Sequence, residues 1–454
     1  MLTAINPTTG KALKKYEETA PDEVMRRLEK AHHAFQAWRQ TTFAERAVLM
    51  KAASRVLIEN RNEYARTMAL EMGKPVKSGR AEIEKCAWVC EYYAEHAEKM
   101  LQDEVIQTDA RKSYVTYNPL GVILSIMPWN YPFWQVFRHA APGLMAGNGV
   151  VLKHASNVPG CAMAIGDIFR KAGFPEDLFQ NFLISSRDAE RLIEQPAICA
   201  VTLTGSKAAG QAVAARAGKW LKKTVLELGG SDPYIVLEDA DLDKTVETCV
   251  ASRLLNSGQS CIAAKRFVVV ESIHKQFEEM LVEKMRSKKM GDPLDEASEI
   301  GPQARTDLRE DLHRQVIRSI EKGALCLLGG EIPGGAGAFY PATVLSEVAE
   351  GMPAYDEETF GPVAAIISVK NEKQAIQVAN DSAFGLGAAI FTRDIAHGER
   401  IAAEALEAGN CFVNAFVKSD PRLPFGGIKE SGYGRELSHY GLKEFVNIKT
   451  VYVE

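Results

Sequence analysis

Between Gly121 and Leu237 the chain alternates short apolar runs with helical segments, and this alternation restricts the fold more than any other feature. Val150-Val151-Leu152, Asn181-Phe182-Leu183-Ile184, Ala200-Val201-Thr202-Leu203 and Tyr234-Ile235-Val236-Leu237 read as strands, with helices near 158–172, 187–195 and 206–219 between them. A parallel sheet covered by helices on both faces satisfies that pattern. A second alternating region, from Asp241 to about Gly434, implies another α/β unit, since 454 residues exceed what one core organises. Ahead of both, Val24, Leu28, Ala31, Phe35 and Trp38 form one apolar helical stripe, for which Thr19 and Asp22 supply a cap and Pro21 a first turn. Residues 104–118 turn β-rich around Thr108-Asp109-Ala110, predicting a hairpin, and residues 444–453 predict a closing strand.

Composition excludes several functions. A net charge of −5 is no footprint of nucleic acid or of an anionic membrane. No run approaches the roughly 18 apolar residues of a membrane span, and Met1 to Lys15 is too polar for a signal peptide; the expected location is the cytoplasm. The eight cysteines follow neither a disulfide framework nor a zinc spacing. Cys86 and Cys90 share a helix face with Tyr93, which predicts buried packing. No catalytic metal is expected.

Four segments carry residues suited to chemistry. Cys261 ends Asn256-Ser257-Gly258-Gln259-Ser260-Cys261. A lone cysteine is as a rule buried and inert, and a nucleophile needs thiolate from a thiol of pKa ~8.5. Glu227, in Leu226-Glu227-Leu228-Gly229-Gly230, is a carboxylate at an apolar strand end; burial would raise its pKa and suit it to general base work, or it is a satisfied structural group. Gly229 and Gly230 would let the backbone turn sharply there. Asn130, bracketed by Pro128 and Pro132, is either a turn residue or an amide aimed at an oxyanion. Gly205-Ser206-Lys207-Ala208-Ala209-Gly210 follows a strand and opens a helix, a place where N–H groups bind phosphate, although it matches neither GxGxxG nor a P-loop.

Taken together, Pro128-Trp129-Asn130, Lys153, Leu203-Thr204-Gly205-Ser206, Leu226-Glu227-Leu228-Gly229-Gly230, Gly258-Gln259-Ser260-Cys261, Glu358-Thr359-Phe360-Gly361-Pro362-Val363 and Pro424-Phe425-Gly426-Gly427 resemble the aldehyde dehydrogenase superfamily over nearly the whole chain. The resemblance implies an α/β fold with a parallel-sheet cofactor domain (1–103 and 120–229), an α/β catalytic domain (230–434) and a small β oligomerisation arm (104–119 and 435–454). It implies that Cys261 attacks an aldehyde, that Asn130 and the Cys261 N–H stabilise the oxyanion, and that Glu227 activates water to hydrolyse a thioester. The implied cofactor site is Met127, Pro128, Trp129, Lys153, Ser156, Gly205, Ser206, Glu227, Leu228, Glu358 and Phe360. A homodimer, or a tetramer of dimers, follows by analogy.

Within that superfamily the chain is most similar to the succinate-semialdehyde dehydrogenases. Asn130, Trp134 and Arg138 are spaced for one side of a helix, so Arg138 could meet the far carboxylate of a short ω-acid aldehyde, together with Ser419 and Arg422; the alternative for Arg138 is a salt bridge. Where such relatives often place an arginine six residues before the nucleophile, this chain has Leu255, and Ala263 rules out a second cysteine two residues beyond Cys261. Ser156 stands where NAD-preferring relatives carry glutamate, so NADP is the expected cofactor, with NAD the alternative. The segment before Ser185-Ser186 lacks the glycines many relatives have there. Readings from other classes are an aldehyde dehydrogenase for a different short aldehyde, a CoA-acylating enzyme, against which Glu227 argues, and a non-enzymatic descendant.

Overall fold

Val122–Met127 is buried along almost its whole length, as a strand covered on both faces must be. In the computed structural model, which describes residues 1–454, it lies inside a six-stranded sheet. The order across that sheet is Gly432–Tyr433, Lys223–Glu227, Ile198–Thr204, Val122–Met127, Gly149–His154 and Phe179–Asn181. All neighbours are parallel except Gly432–Tyr433, which joins antiparallel at the edge. The chain runs outward from Val122–Met127 on one side, then crosses to Ile198–Thr204 on the other. That reversal opens a crevice at the carboxyl ends of the two strands, the usual ligand site of an open α/β sheet.

The second alternating region, joined by the Pro233–Val236 strand that the sequence reading placed in the first, forms a seven-stranded sheet in the order Leu325–Leu328, Thr343–Ser346, Val363–Val369, Arg266–Val270, Pro233–Val236, Gly387–Phe391, Asn410–Val413, parallel but for its first pair. The expected hairpin is present: Glu104–Val105 pairs with Lys112–Pro119, and Val446–Val453 adds a third strand. Cys86 and Cys90 are buried, as the helical spacing predicted. No helix is long and apolar enough to cross a membrane.

The structure differs from the sequence reading at several points. The strand expected over 181–184 is Phe179–Asn181, and Thr19 does not cap the Pro21–Trp38 helix, whose N-cap is Ala20. One interaction explains both. Leu183 accepts from the Thr19 N–H at 2.9 Å and donates its own to Thr19 Oγ1 at 3.2 Å, so Phe182 and Ile184 bury their side chains while the backbone leaves the sheet. Asn130 precedes the Trp134–Met145 helix, so only Trp134 and Arg138 share it. A hairpin of Leu2–Ile5 with Ala12–Tyr16 was not anticipated.

The Trp134–Met145 helix has no side-chain cap of its own. Instead Glu82, from the Val76–Met100 helix, accepts the backbone N–H groups of Phe133 and Trp134, each at 2.9 Å. Glu82 is ion-paired with Lys74, both fully buried, and the Lys74 ammonium lies 3.9 Å from the centre of the Tyr131 ring. Lys74→Met would leave the Glu82 carboxylate buried without a counter-charge, which costs about 3–5 kcal/mol. The expected result is a marked fall in Tm, partly restored by adding Glu82→Gln, whose neutral amide oxygen still accepts the two N–H groups. An unchanged Tm in Lys74→Met would show that the pair does not hold this corner together.

Candidate active site

Cys261 follows a stretch of left-handed backbone. Asn256 (φ 54°), Ser257 (φ 57°) and Gly258 (φ 76°) form a run in a region that costs non-glycine residues roughly 1–2 kcal/mol each. Surrounding contacts hold it there. Asn256 Nδ2 donates to the carbonyls of Asn130 (2.8 Å) and Gln259 (3.0 Å), Ser257 Oγ accepts from Gly301 N–H, and buried Arg253 donates to Gly258 O at 2.7 Å. Gly258 packs so closely on Gly361 that a Cβ would lie 2.2 Å from its carbonyl. Asn130 Nδ2 donates to Gln259 O at 3.1 Å, which aims its amide at the residues leading into Cys261. The amide carries a second N–H for a further acceptor.

Beyond Cys261, Lys265 turns back and donates to the carbonyls of Ser260 (2.8 Å) and Cys261 (2.5 Å), with Glu358 3.6 Å away. Burial pushes the Cys261 thiol up to about 12, opposed by the positive charges of Lys265 and Arg138. In the resting protein Cys261 is therefore a thiol.

Cys261 lines a cavity of about 490 Å³ together with Lys85, Trp134, Arg138, Ser419 and Phe425, among others. Trp134 and Arg138 thus meet Ser419 in one place, as the sequence reading expected. Arg138 is not free in it: its guanidinium is ion-paired with buried Glu436, donates to Thr204 Oγ1 at 3.2 Å and lies over the Phe425 ring. Arg422 lines the rim and is exposed, paired with Asp420 at 2.6 Å. Leu255 also lines the cavity as an apolar wall.

Glu227 ends its strand with a carboxylate that is 2% exposed and makes no hydrogen bond. It lies against Gly426, where a Cβ would be 2.8 Å from Oε1, and is not among the side chains lining the cavity. Burial first, and then the neighbouring Glu436 charge, hold the Glu227 carboxyl well above its usual range against the pull of Arg138 and Arg435. Gly229 and Gly230 do not have positive φ. They are needed for close approach instead, since a Cβ would meet Glu358 Oε2 at 2.3 Å and the Cys261 carbonyl at 2.8 Å respectively.

The crevice of the six-stranded sheet collects the rest. Met127 ends one strand and Pro128 and Trp129 follow it, while Gly205 and Ser206 follow the other. Ser206 caps the Lys207–Lys219 helix, leaving the first-turn N–H groups directed at the crevice. Gly210 lets that helix rest on Leu228, whose side chain a Cβ would meet at 2.6 Å. Lys153 is only 9% exposed, and burial alone lowers its pKa; exposed Ser156 follows. A buried lysine in one strand and a helix N-terminus that follows another strand of the same sheet suit an anionic, hydroxyl-rich ligand, so these residues fit a dinucleotide. Phe360 meets Trp129 edge to face at 5.7 Å, and Glu358 Oε1 accepts from Gly230 N–H at 3.0 Å. Ser185 caps the Ser186–Ile193 helix.

Sequence reasoning missed Lys85, Asn256, Lys265 and Glu436. Lys265-Arg266 leading into Phe267-Val268-Val269-Val270 was a usable signal, since two cations entering an apolar strand must find partners inside. Lys85 and Glu436 lie far along the chain from Cys261, and nothing local marks them.

The raised thiol predicts a pH dependence. Between pH 7 and 9 the thiolate fraction should grow about tenfold per unit, because the pH stays below the pKa. Iodoacetamide inactivation of the cofactor-free protein should therefore accelerate steadily across that range. A plateau below pH 8 would mean that the thiolate already exists at rest.

The aldehyde dehydrogenase family matches residues 1–451 of this chain. A probable succinate-semialdehyde dehydrogenase [NADP(+)] of Synechocystis sp. is 49% identical over 452 residues, covering 100% of this chain and 99% of the relative. The succinate semialdehyde dehydrogenase [NAD(P)+] of Escherichia coli is 47% identical, with 99% and 97% covered. Among solved structures, the succinic semialdehyde dehydrogenase of Streptococcus pyogenes in complex with NADP+ superposes with a TM-score of 0.98 at 36% identity, over the full length of both chains.

Proposed function

The chain belongs to the aldehyde dehydrogenase family, as an NAD(P)-dependent oxidoreductase, and we propose that it oxidises succinic semialdehyde to succinate, preferring NADP and using NAD less well. The observation that carries this reading is the single cavity in which Cys261 shares the walls with Arg138, Trp134 and Ser419. An aldehyde at the sulfur would direct a carboxylate four carbons long towards cationic and hydroxyl groups.

The buried residues assign the steps. Cys261 Sγ bonds to the aldehyde carbon and gives up its proton to solvent in the cavity, and the carbonyl oxygen becomes an oxyanion that accepts from Asn130 Nδ2 and the Cys261 N–H. Lys265, donating to the Cys261 carbonyl, fixes the backbone that carries the new centre. A bound nicotinamide supplies the hydride acceptor that turns the sulfur-bound carbon into a thioester. Glu227, losing its own proton to solvent as it leaves the buried pocket beside Gly426, then takes a proton from water and delivers hydroxide to the thioester carbon, which frees succinate and returns Cys261. A buried general base of this kind supports hydrolysis over transfer to CoA.

Lys153, Ser156, Gly205, Ser206, Glu358 and Phe360, with Met127, Pro128, Trp129, Glu227 and Leu228 around them, would hold the dinucleotide. Ser156 offers a hydroxyl and Lys153 a charge to a 2′-phosphate. The 104–119 and 435–454 segments would pair subunits, since Val105, Ile106, Ile448, Tyr452 and Val453 expose apolar surface on one small sheet.

The test is a kinetic matrix of succinic semialdehyde and butanal against NADP and NAD. Succinic semialdehyde with NADP should give the highest kcat/KM. Ser156→Glu should move the cofactor ratio towards NAD by about tenfold, the size of a partly exposed charge contact. An enzyme that favours butanal, or a parent that favours NAD, would contradict the substrate or the cofactor half of the reading respectively.

A further inference from the structure

The cavity walls carry four cations, and three are already answered. Arg138 faces Glu436, Arg422 is paired with Asp420, and Lys418 is exposed to solvent. Lys85 is different. It projects from the Val76–Met100 helix, is partly buried, and pairs with no carboxylate. Its ammonium donates to Ser419 Oγ at 2.8 Å and lies 4.2 Å from the centre of the Trp134 ring. Glu82, one turn earlier on the same helix, is committed to Lys74 and to two backbone N–H groups.

We propose that Lys85 is the specificity-determining residue of the cavity: with Ser419 it forms the seat for the substrate's distal carboxylate, while Arg138 serves to hold Glu436. The assignment rests on the reading that the substrate is an ω-carboxylate aldehyde. An ammonium has three donors, and here only one is used by protein. Trp134 fixes the ammonium by cation–π contact without neutralising it. The Ser419 hydroxyl, which accepts from Lys85, still has its own proton to donate to a carboxylate oxygen. A bound carboxylate would thus meet two donors already aimed at one point.

The surroundings add a pH dependence. Burial, and then Arg138 across the cavity, lower Lys85 to about 8, while Cys86 and Glu82 on its own helix and Asp420 on the facing loop pull it upward. Lys85 should therefore lose charge between pH 7 and 9, and the grip on a carboxylate with it.

The experiment compares succinic semialdehyde with butanal, with NADP saturating, in the full-length protein and in Lys85→Met and Lys85→Gln. At pH 7 either substitution should raise KM for succinic semialdehyde tenfold or more, with kcat and the butanal parameters changed less than threefold. In the parent, the KM ratio of succinic semialdehyde to butanal should climb between pH 7 and 9, and in the variants it should stay flat. Lys85→Gln keeps a donor for Ser419, so it serves if Lys85→Met does not fold. Equal losses on both aldehydes would make Lys85 structural and overturn the assignment, as would discrimination that survives in both variants. A parent that does not discriminate between the two aldehydes would overturn the succinic semialdehyde reading itself, and the Lys85 assignment with it.

Discussion

Two carboxylates and one guanidinium share a space that water does not reach: Glu227, Glu436 and Arg138 are each at most 3% exposed. Ionising both carboxylates there would leave a net negative charge in a medium that stabilises it poorly. Arg138 answers one of them, Glu436 by direct ion pairing, while burial and the Glu436 charge hold the Glu227 carboxyl well above its usual range. Each partner comes from a different part of the chain: a strand end of the six-stranded sheet, the helix that follows Asn130, and the segment leading into the last helix. Glu436 is fixed by reciprocal 2.7 Å hydrogen bonds with the Phe425 backbone, and Gly426, next in sequence, is where Glu227 rests. The balance of charge at this point therefore depends on the correct docking of both sheets.

In the proposed reaction the same balance would separate the two jobs assigned to Cys261 and Glu227. A thiol beside a permanently ionised carboxylate would be driven still further from thiolate, and a hydroxide source beside the free aldehyde would compete with the thiol for its carbon before the hydride had left. Keeping Glu227 retracted against Gly426, outside the cavity, removes both conflicts. Cys261 is held independently of it, through the left-handed turn at Asn256–Gly258 and through Lys265, which grips the carbonyls on either side of the Ser260–Cys261 bond. That backbone is strained, and it persists because Asn130, Arg253, Ser257 and Gly361 over-determine it.

The fold was legible in the sequence wherever a side chain's pattern and its backbone's partner agreed. Val150-Val151-Leu152 and Ala200-Val201-Thr202-Leu203 are strands buried on both faces, and each lies in its expected strand. Phe182 and Ile184 were misread because burial and ladder pairing part company there: the side chains go inward while Leu183 bonds to Thr19. At the site, Cys261, Glu227 and Asn130 stood out because each sat in a compact motif. The buried electrostatics could not be read. Arg138 was expected to face substrate, with a salt bridge as the alternative, and the partner it meets, Glu436, lies almost 300 residues downstream, a meeting that no local spacing encodes. Gly229 and Gly230 were rightly singled out for the wrong reason, since what they provide is room for Glu358 and the Cys261 carbonyl and not a turn.

The central claim is that Cys261 and Glu227 act in sequence from separate pockets, and Glu227→Gln tests it most directly. Mixed with succinic semialdehyde and NADP, this variant should release a burst of NADPH close to one equivalent per Cys261 and then stall. Intact-mass spectrometry of the stalled protein should show Cys261 carrying the succinyl adduct. Turnover at the parental rate, or a stalled protein with unmodified Cys261, would contradict the account.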